Sequence, residues 1–165
     1  ARKPWIAAIN GPCAGISYSF AMACDLVVMA ESSFLYQPFL GIGLVPDGGA
    51  TWLLPNLVGA KRAYELMAFG EKLTAEKAVD WGLANRILPD EDFAAHSMAY
   101  GQELANRSPL ALRYTKEAMA FSASHNLSDT ISKEAALQAF CIASEDSREA
   151  IKAFFQKRQP DCQGK

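Results

Sequence analysis

The stretch Trp5-Ile6-Ala7-Ala8-Ile9-Asn10-Gly11-Pro12-Cys13-Ala14-Gly15-Ile16 sets the reading of the fold. An unbroken apolar run closed by Asn-Gly-Pro describes a strand buried on both faces and ending in a turn. Ile16 to Cys24 then has helical character, with Ile16, Phe20 and Ala23 on one face and Gly15 giving the backbone freedom to enter the helix. Strand, glycine turn and helix in succession are an α/β signature.

Working outward, Leu26 to Ala30 is a second buried strand, Ser33 to Gln37 a third and Leu83 to Leu88 a short fourth. Between them, Gly48 to Leu57, Ala60 to Phe69 and Thr74 to Trp81 are predicted helices. From about Asp90 onward no strand pattern occurs. Amphipathic stretches cover Glu91 to Asn106, Ser108 to Ala123, Leu127 to Ala143 and Ser147 to Lys157. Ser108-Pro109 places proline at a first helical turn, and Ser144 to Ser147 offers capping residues. The predicted organisation is an α/β portion over residues 1–89 and a helical portion over 90–165, the latter serving packing and assembly.

A chain of 165 residues can bury roughly 70% of its unfolded surface. Sixteen basic and eighteen acidic residues give a net charge of −2 without an extended basic cluster, which argues against nucleic acid as a partner. Cys13, Cys24, Cys141 and Cys162 form no C-x-x-C pair, and only His96 and His125 are available beside them. That usage predicts a reduced, intracellular protein without a metal site. The apolar runs are too short to cross a bilayer and Arg2-Lys3-Pro4 does not make a signal peptide, so a soluble cytoplasmic protein is expected.

A second unusual segment is Gly41-Ile42-Gly43-Leu44-Val45-Pro46-Asp47-Gly48-Gly49. It sets one carboxylate among Phe39, Leu40, Ile42, Leu44, Val45 and Trp52, with no basic residue until Lys61. Burial without a counter-charge raises a carboxyl pKa into the range useful for proton transfer, which makes Asp47 a candidate general base. Local sequence alone favours the plainer alternative, Asp47 as the N-cap of the helix that follows. At Gly15-Ile16, a backbone amide at a helix start can receive an anion or an oxyanion; the alternative is an ordinary strand-to-helix turn.

The series Lys3 to Gly11, Cys24-Asp25-Leu26-Val27, Gln37-Pro38, Gly43 to Gly49, Leu73 to Ala78 with Trp81-Gly82-Leu83, and Ala153-Phe154 with Lys157-Arg158 resembles the crotonase (enoyl-CoA hydratase/isomerase) superfamily over nearly the whole chain. Gly43 through Gly59 is most similar to the ring-epoxyphenylacetyl-CoA isomerases. The resemblance implies the C-terminal part of a ββα spiral, truncated at its N-terminus, followed by helices that assemble trimers, often paired into hexamers. It implies an acyl-CoA thioester as substrate, no separate cofactor, and two backbone amides that hold the thioester oxygen, one of them matching Ile16. The two positions that carry water-activating glutamates in hydratases are Ser19 and Phe39 here, whereas Asp47 matches the isomerase base.

By the same resemblance, Gly15, Ser19, Phe39, Gly48 and Trp52 line the substrate pocket, with Trp52 packed in the core beside it. Phe154 and Lys157, spaced i, i+3 on one helix face, reach CoA from a neighbouring subunit; a core or trimer contact for Phe154 and a solvated charge for Lys157 are the alternatives. Asp25 caps or orients the strand after it. The family's opening strands have no counterpart in this sequence, which reads either as a fragment or as a shortened member. An isomerase is the leading expectation, and a non-catalytic acyl-CoA-binding or assembly module, or an inactive fragment, is the rival.

Overall fold

The opening apolar run does form a strand. In the computed structural model, which describes residues 1–165, β1 is Ile6–Ile9, followed by β2 (Pro12–Ala14), α1 (Ile16–Met22), β3 (Leu26–Ala30) and β4 (Phe34–Tyr36). A short 3₁₀ turn at Phe39–Ile42 leads to α2 (Ala50–Val58), α3 (Ala60–Phe69), β5 (Leu73–Thr74), α4 (Ala75–Asp80) and β6 (Arg86–Leu88). Four helices complete the chain: α5 (Phe93–Ala105), α6 (Pro109–Ser122), α7 (Leu127–Ala143) and α8 (Glu145–Phe155). Packing divides the chain into two compact units, Trp5–Ala99 and Tyr100–Lys165 together with Ala1–Pro4, so the boundary falls inside α5.

The first unit holds two small sheets. One has the order β1-β3-β6, all parallel, with Ile6 opposite Leu26 and Val28 opposite Arg86. The other has the order β2-β4-β5, with β2 parallel and β5 antiparallel to β4. Central β3 is buried from Val27 to Ala30, as a strand covered on both faces must be. By contrast β1 is an edge strand whose Ala8 is exposed and whose Ile9 alone is buried, so it is not the doubly covered strand its composition predicts. Asp25 ties the two together: its carboxylate accepts from the Trp5 amide at 2.7 Å, while its own amide donates to the Trp5 carbonyl at 3.0 Å.

Two strands escape the sequence pattern. β2 occupies the Pro12–Ala14 segment read as a turn, and β5 is only Leu73–Thr74; both are held by pairing with β4 rather than by an apolar run of their own. The core joins Ile9, Tyr18, Met22, Met29, Leu35, Leu54, Ala63 and Leu66. In α1 the buried residues are Tyr18, Ser19, Ala21 and Met22, leaving Ile16 and Phe20 exposed. With Ser17, Tyr18 and Ser19 set among Ile16, Phe20, Ala21 and Met22, this short helix has no clean apolar stripe to announce which face turns inward.

In the second unit each helix start is capped by its own side chain: Ser108 accepts from the Ala111 amide, Asn126 from Asp129 and Ser144 from Ser147. Tyr114 of α6 meets Phe140 of α7 at a ring separation of 6.1 Å. The final segment runs back along α8. Buried Asp146 accepts from the Ser108 hydroxyl at 2.8 Å and from the amides of Gln163 and Gly164, and the Lys165 carbonyl accepts from the amides of Glu145 and Asp146. Burial opposes ionisation of Asp146, but these hydrogen bonds outweigh it and hold the carboxyl below its ordinary value.

Two expected outcomes follow from this packing. Leu54→Ala, in the centre of the first unit's core, should cost about 2–5 kcal/mol in a urea unfolding curve, while Trp52→Ala on the opposite side of α2 should change it by no more than about 0.5 kcal/mol. For the second unit, a depressed native carboxyl pKa contributes stability that is complete above the unfolded value and is lost as pH falls through the native one. Glu149 is held down to about 2 by the Arg158 guanidinium and the Asp161 amide. The protection of the tail and α8 in hydrogen exchange should therefore be full above about pH 4.5 and decline from there toward pH 2.

Candidate functional site

Gly15 enters α1 with φ of 59° and gives its amide to the Tyr36 carbonyl at 2.9 Å, which fixes the first turn of α1 beside the end of β4. Ile16, the first helical residue, has no carbonyl of its own helix within reach of its amide. The Phe39 ring covers the same point: a Cβ placed on Gly15 would stand 3.6 Å from it. The parallel register of β2 and β4, with Ala14 opposite Tyr36, is what carries these two distant segments to one place.

The loop holding Asp47 is attached to this turn. Ser19, buried in α1, donates its hydroxyl to the Asp47 backbone carbonyl at 2.8 Å. Gly48 then passes so close that a Cβ there would lie 2.9 Å from Ser19 Cβ and 3.0 Å from Ile16 Cγ1, and its φ is 62°. Only glycine meets both demands. Gly15, Ile16, Ser19, Phe39, Asp47 and Gly48 are thus brought together.

Three expectations about this region need correction. The Asp47 side chain is exposed rather than buried, and Leu44, Val45, Ile42 and Trp52 around it in sequence are exposed as well, so the apolar wall expected from their composition does not close over it. Nor is Asp47 the helix cap. Gly48 and Gly49 are both left-handed, Gly49 is the N-cap of α2, and it is the Asp47 carbonyl that accepts from the Ala50 amide at 3.1 Å. Trp52 does not pack in the core: it is 65% exposed, because α2 buries Ala50 and Leu54 and a residue two positions along points away from that face.

Phe154 and Lys157 lie in the helical unit. Phe154 is exposed, which removes the reading of it as a core residue, and it meets Phe155 edge to face at 5.7 Å. The two do not share a helix face. α8 ends at Phe155, Gln156 is its C-cap, and Lys157 stands beyond it with φ of 54°.

Two buried polar residues next to the site residues were given no role by the sequence reading, although Gln37-Pro38 is one of the motifs that carry the resemblance. Tyr18 Oη and both amide atoms of Gln37 hydrogen-bond to no protein group. Burial, and then the neighbouring Cys13, push the Tyr18 phenol up, and burial does the same to the Cys13 thiol, opposed by the hydrogen bond between Cys13 and the Ser17 oxygen that accepts from it. Gln37 precedes Phe39 by two residues and Tyr18 precedes Ser19, so each borders the site in sequence. A tyrosine in a short helix carries no signal of its burial, and the Gln37-Pro38 motif does not say that the glutamine amide is buried without a protein partner.

The chain matches the enoyl-CoA hydratase/isomerase family over residues 1–165. It is 40% identical to a protein of Rhodobacter capsulatus named "Probable enoyl-CoA hydratase", over 98% of this chain and 63% of the relative. It is 35% identical to the 1,2-epoxyphenylacetyl-CoA isomerase of Escherichia coli, over 99% of this chain and 62% of that protein. The crystal structure of an enoyl-CoA hydratase from Polaromonas superimposes with a TM-score of 0.94 at 33% identity, covering 98% of this chain and 63% of that one. The chain thus spans a little under two thirds of the length of these relatives. Its α/β portion with following helices is the crotonase fold over that span, and the chain belongs to the enoyl-CoA hydratase/isomerase family of the crotonase superfamily.

Proposed function

We propose that this chain carries the proton-transfer half of an acyl-CoA isomerase site, with Asp47 as the acid/base and the Ile16 amide as one donor of an oxyanion hole. The observation that carries the reading is the Ser19 hydroxyl bonded to the Asp47 carbonyl at 2.8 Å, which anchors the Asp47 loop one turn from the Ile16 amide. A site that activates water by the hydratase route needs carboxylates where Ser19 and Phe39 stand; one carboxylate suffices for isomerisation. Asp47 takes the proton from the carbon beside the thioester, the enolate oxygen accepts from the Ile16 amide, and the same acid returns the proton at another carbon. The substrate class is an enoyl-CoA or ring-epoxyphenylacetyl-CoA thioester, and CoA enters with the substrate rather than as a cofactor.

Assembly belongs to the same proposal. β1 leaves one side unpaired, and Leu127, Ile131, Phe140, Ile142, Ile151, Phe154 and Phe155 expose large apolar side chains in the helical unit. Such surfaces are covered by association, and a trimer-based homo-oligomer allows Phe154 and Lys157 to approach CoA held by a neighbouring copy.

Solvent deuterium exchange beside the thioester tests the chemistry. Asp47→Asn should reduce exchange by about 10²–10⁴-fold, and Ser19→Ala should reduce it more modestly while costing about 1 kcal/mol of stability. Equal exchange in Asp47→Asn and the parent chain removes Asp47 from the mechanism; binding of the thioester without turnover points instead to a non-catalytic acyl-CoA-binding module. For assembly, multi-angle light scattering at micromolar concentration should give a mass that is a multiple of the 17.9 kDa chain, and a folded monomer refutes the oligomer.

A further inference from the structure

The residues after α8 do more than trail from it. Asp146, Glu149 and Ala153, at i, i+3 and i+7, share one face of α8, and the tail is stapled along that face by successive polar contacts. Arg158 forks onto Glu149, with Nη1 to Oε1 at 2.5 Å and Nη2 to Oε2 at 3.0 Å. The Asp161 amide donates to Glu149 at 3.1 Å, and the amides of Gln163 and Gly164 donate to Asp146 at 2.8 and 3.0 Å. The Lys165 carbonyl then accepts from the first amides of α8, satisfying donors that a helix start leaves open. Two carboxylates on one helix thus bind the returning tail of the chain. Ile151 and Phe155, both exposed, fall on the opposite side of the helix, and exposed Phe154 lies between the two faces.

At the far end, the strap closes on a strained residue. The Lys157 amide donates to the Phe154 carbonyl at 3.2 Å and the Arg158 amide to the Ala153 carbonyl at 3.1 Å, the paired bonds of a Schellman ending. The left-handed position of that motif is normally glycine, yet Lys157 holds it here with φ of 54°. A side chain kept in a sparsely populated conformation needs surroundings that over-determine it. Arg158, the residue immediately following, is the one whose guanidinium is locked to Glu149.

We propose that Glu149 and Asp146 are positioning residues: through the tail they hold the last turn of α8, and with it the ammonium of Lys157, in the single orientation in which it meets the phosphates of CoA. The contact with CoA rests on the functional reading above; the hold on the last turn does not.

Two measurements on the full chain separate these parts. In residue-resolved amide hydrogen exchange, Glu149→Gln and Asp146→Asn should each speed exchange at Gln156, Lys157 and Arg158 by about tenfold or more, with the middle of α7 unchanged. Unaltered exchange at these three amides in Glu149→Gln, whose site is only partly buried and whose fold is therefore spared, overturns the proposal. In calorimetric titration with free coenzyme A, Glu149→Gln should weaken binding by about five- to tenfold in the parent chain and have no further effect on a Lys157→Ala background. Equal losses on both backgrounds mean that Glu149 acts on stability in general, and the positioning role falls. If Lys157→Ala binds coenzyme A as the parent does while the exchange still quickens, the CoA contact of Lys157 fails and the strap stands.

Discussion

Central strand β3 is the constraint on which the first unit depends. A strand with parallel partners on both sides and cover on both faces can carry no polar side chain, and Val27, Val28, Met29 and Ala30 are all buried. Its backbone groups are satisfied by β1 and β6, which fixes the register of both. Asp25 and Asn85 complete the arrangement at its start: Asp25 bonds to Trp5, and the Asn85 side chain accepts from the Val27 amide at 2.8 Å.

The site is a by-product of the second, smaller sheet. β2 and β4 share only three residue pairs, too few to account for much stability, yet their parallel pairing places the entry of α1 against the exit of β4. From that single adjacency come the Gly15 amide on Tyr36, the Phe39 ring over Gly15 and, one helical turn on, the Ser19 hydroxyl on Asp47. The contacts that fix the loop are made by its backbone: the Asp47 carbonyl accepts from Ser19 and Ala50, and the carboxylate is left free to face solvent. The base role proposed for Asp47 would be better served by a fixed backbone and an accessible carboxylate than by a side chain committed to capping.

Acidic groups serve a different purpose in the helical unit. A buried carboxylate is costly unless its lone pairs are filled, and Asp146 meets that condition with one hydroxyl and backbone amides from the tail. The same exchange of partners satisfies the open amides of α8. Here the acids organise backbone, and the helix they anchor carries exposed Ile151 and Phe155 on its other side.

Several features were legible from the sequence because they arise from local physics. The strand at Leu26–Ala30 follows from an apolar run with no polar break, the start of α6 from Ser108-Pro109, and the crotonase likeness from an ordered series of motifs, while α8 lies where an amphipathic stretch predicts a helix but begins at Glu145 rather than Ser147. Ile16, Ser19, Asp47 and Gly48 were also nameable there, although only as separate points along the chain. Tertiary structure alone decided the rest. Whether Leu44, Val45 and Trp52 bury Asp47 depends on what packs over them, and hydrophobic composition cannot distinguish a covered residue from one awaiting a partner. The strands β2 and β5 exist because β4 offers them hydrogen bonds, the tail of the chain follows α8 because two carboxylates three residues apart accept its amides, and Lys157 leaves the helix because the Schellman ending turns the backbone there. Each of these depends on a contact between residues far apart in sequence or on a backbone turn, and neither is encoded in any one window of the chain.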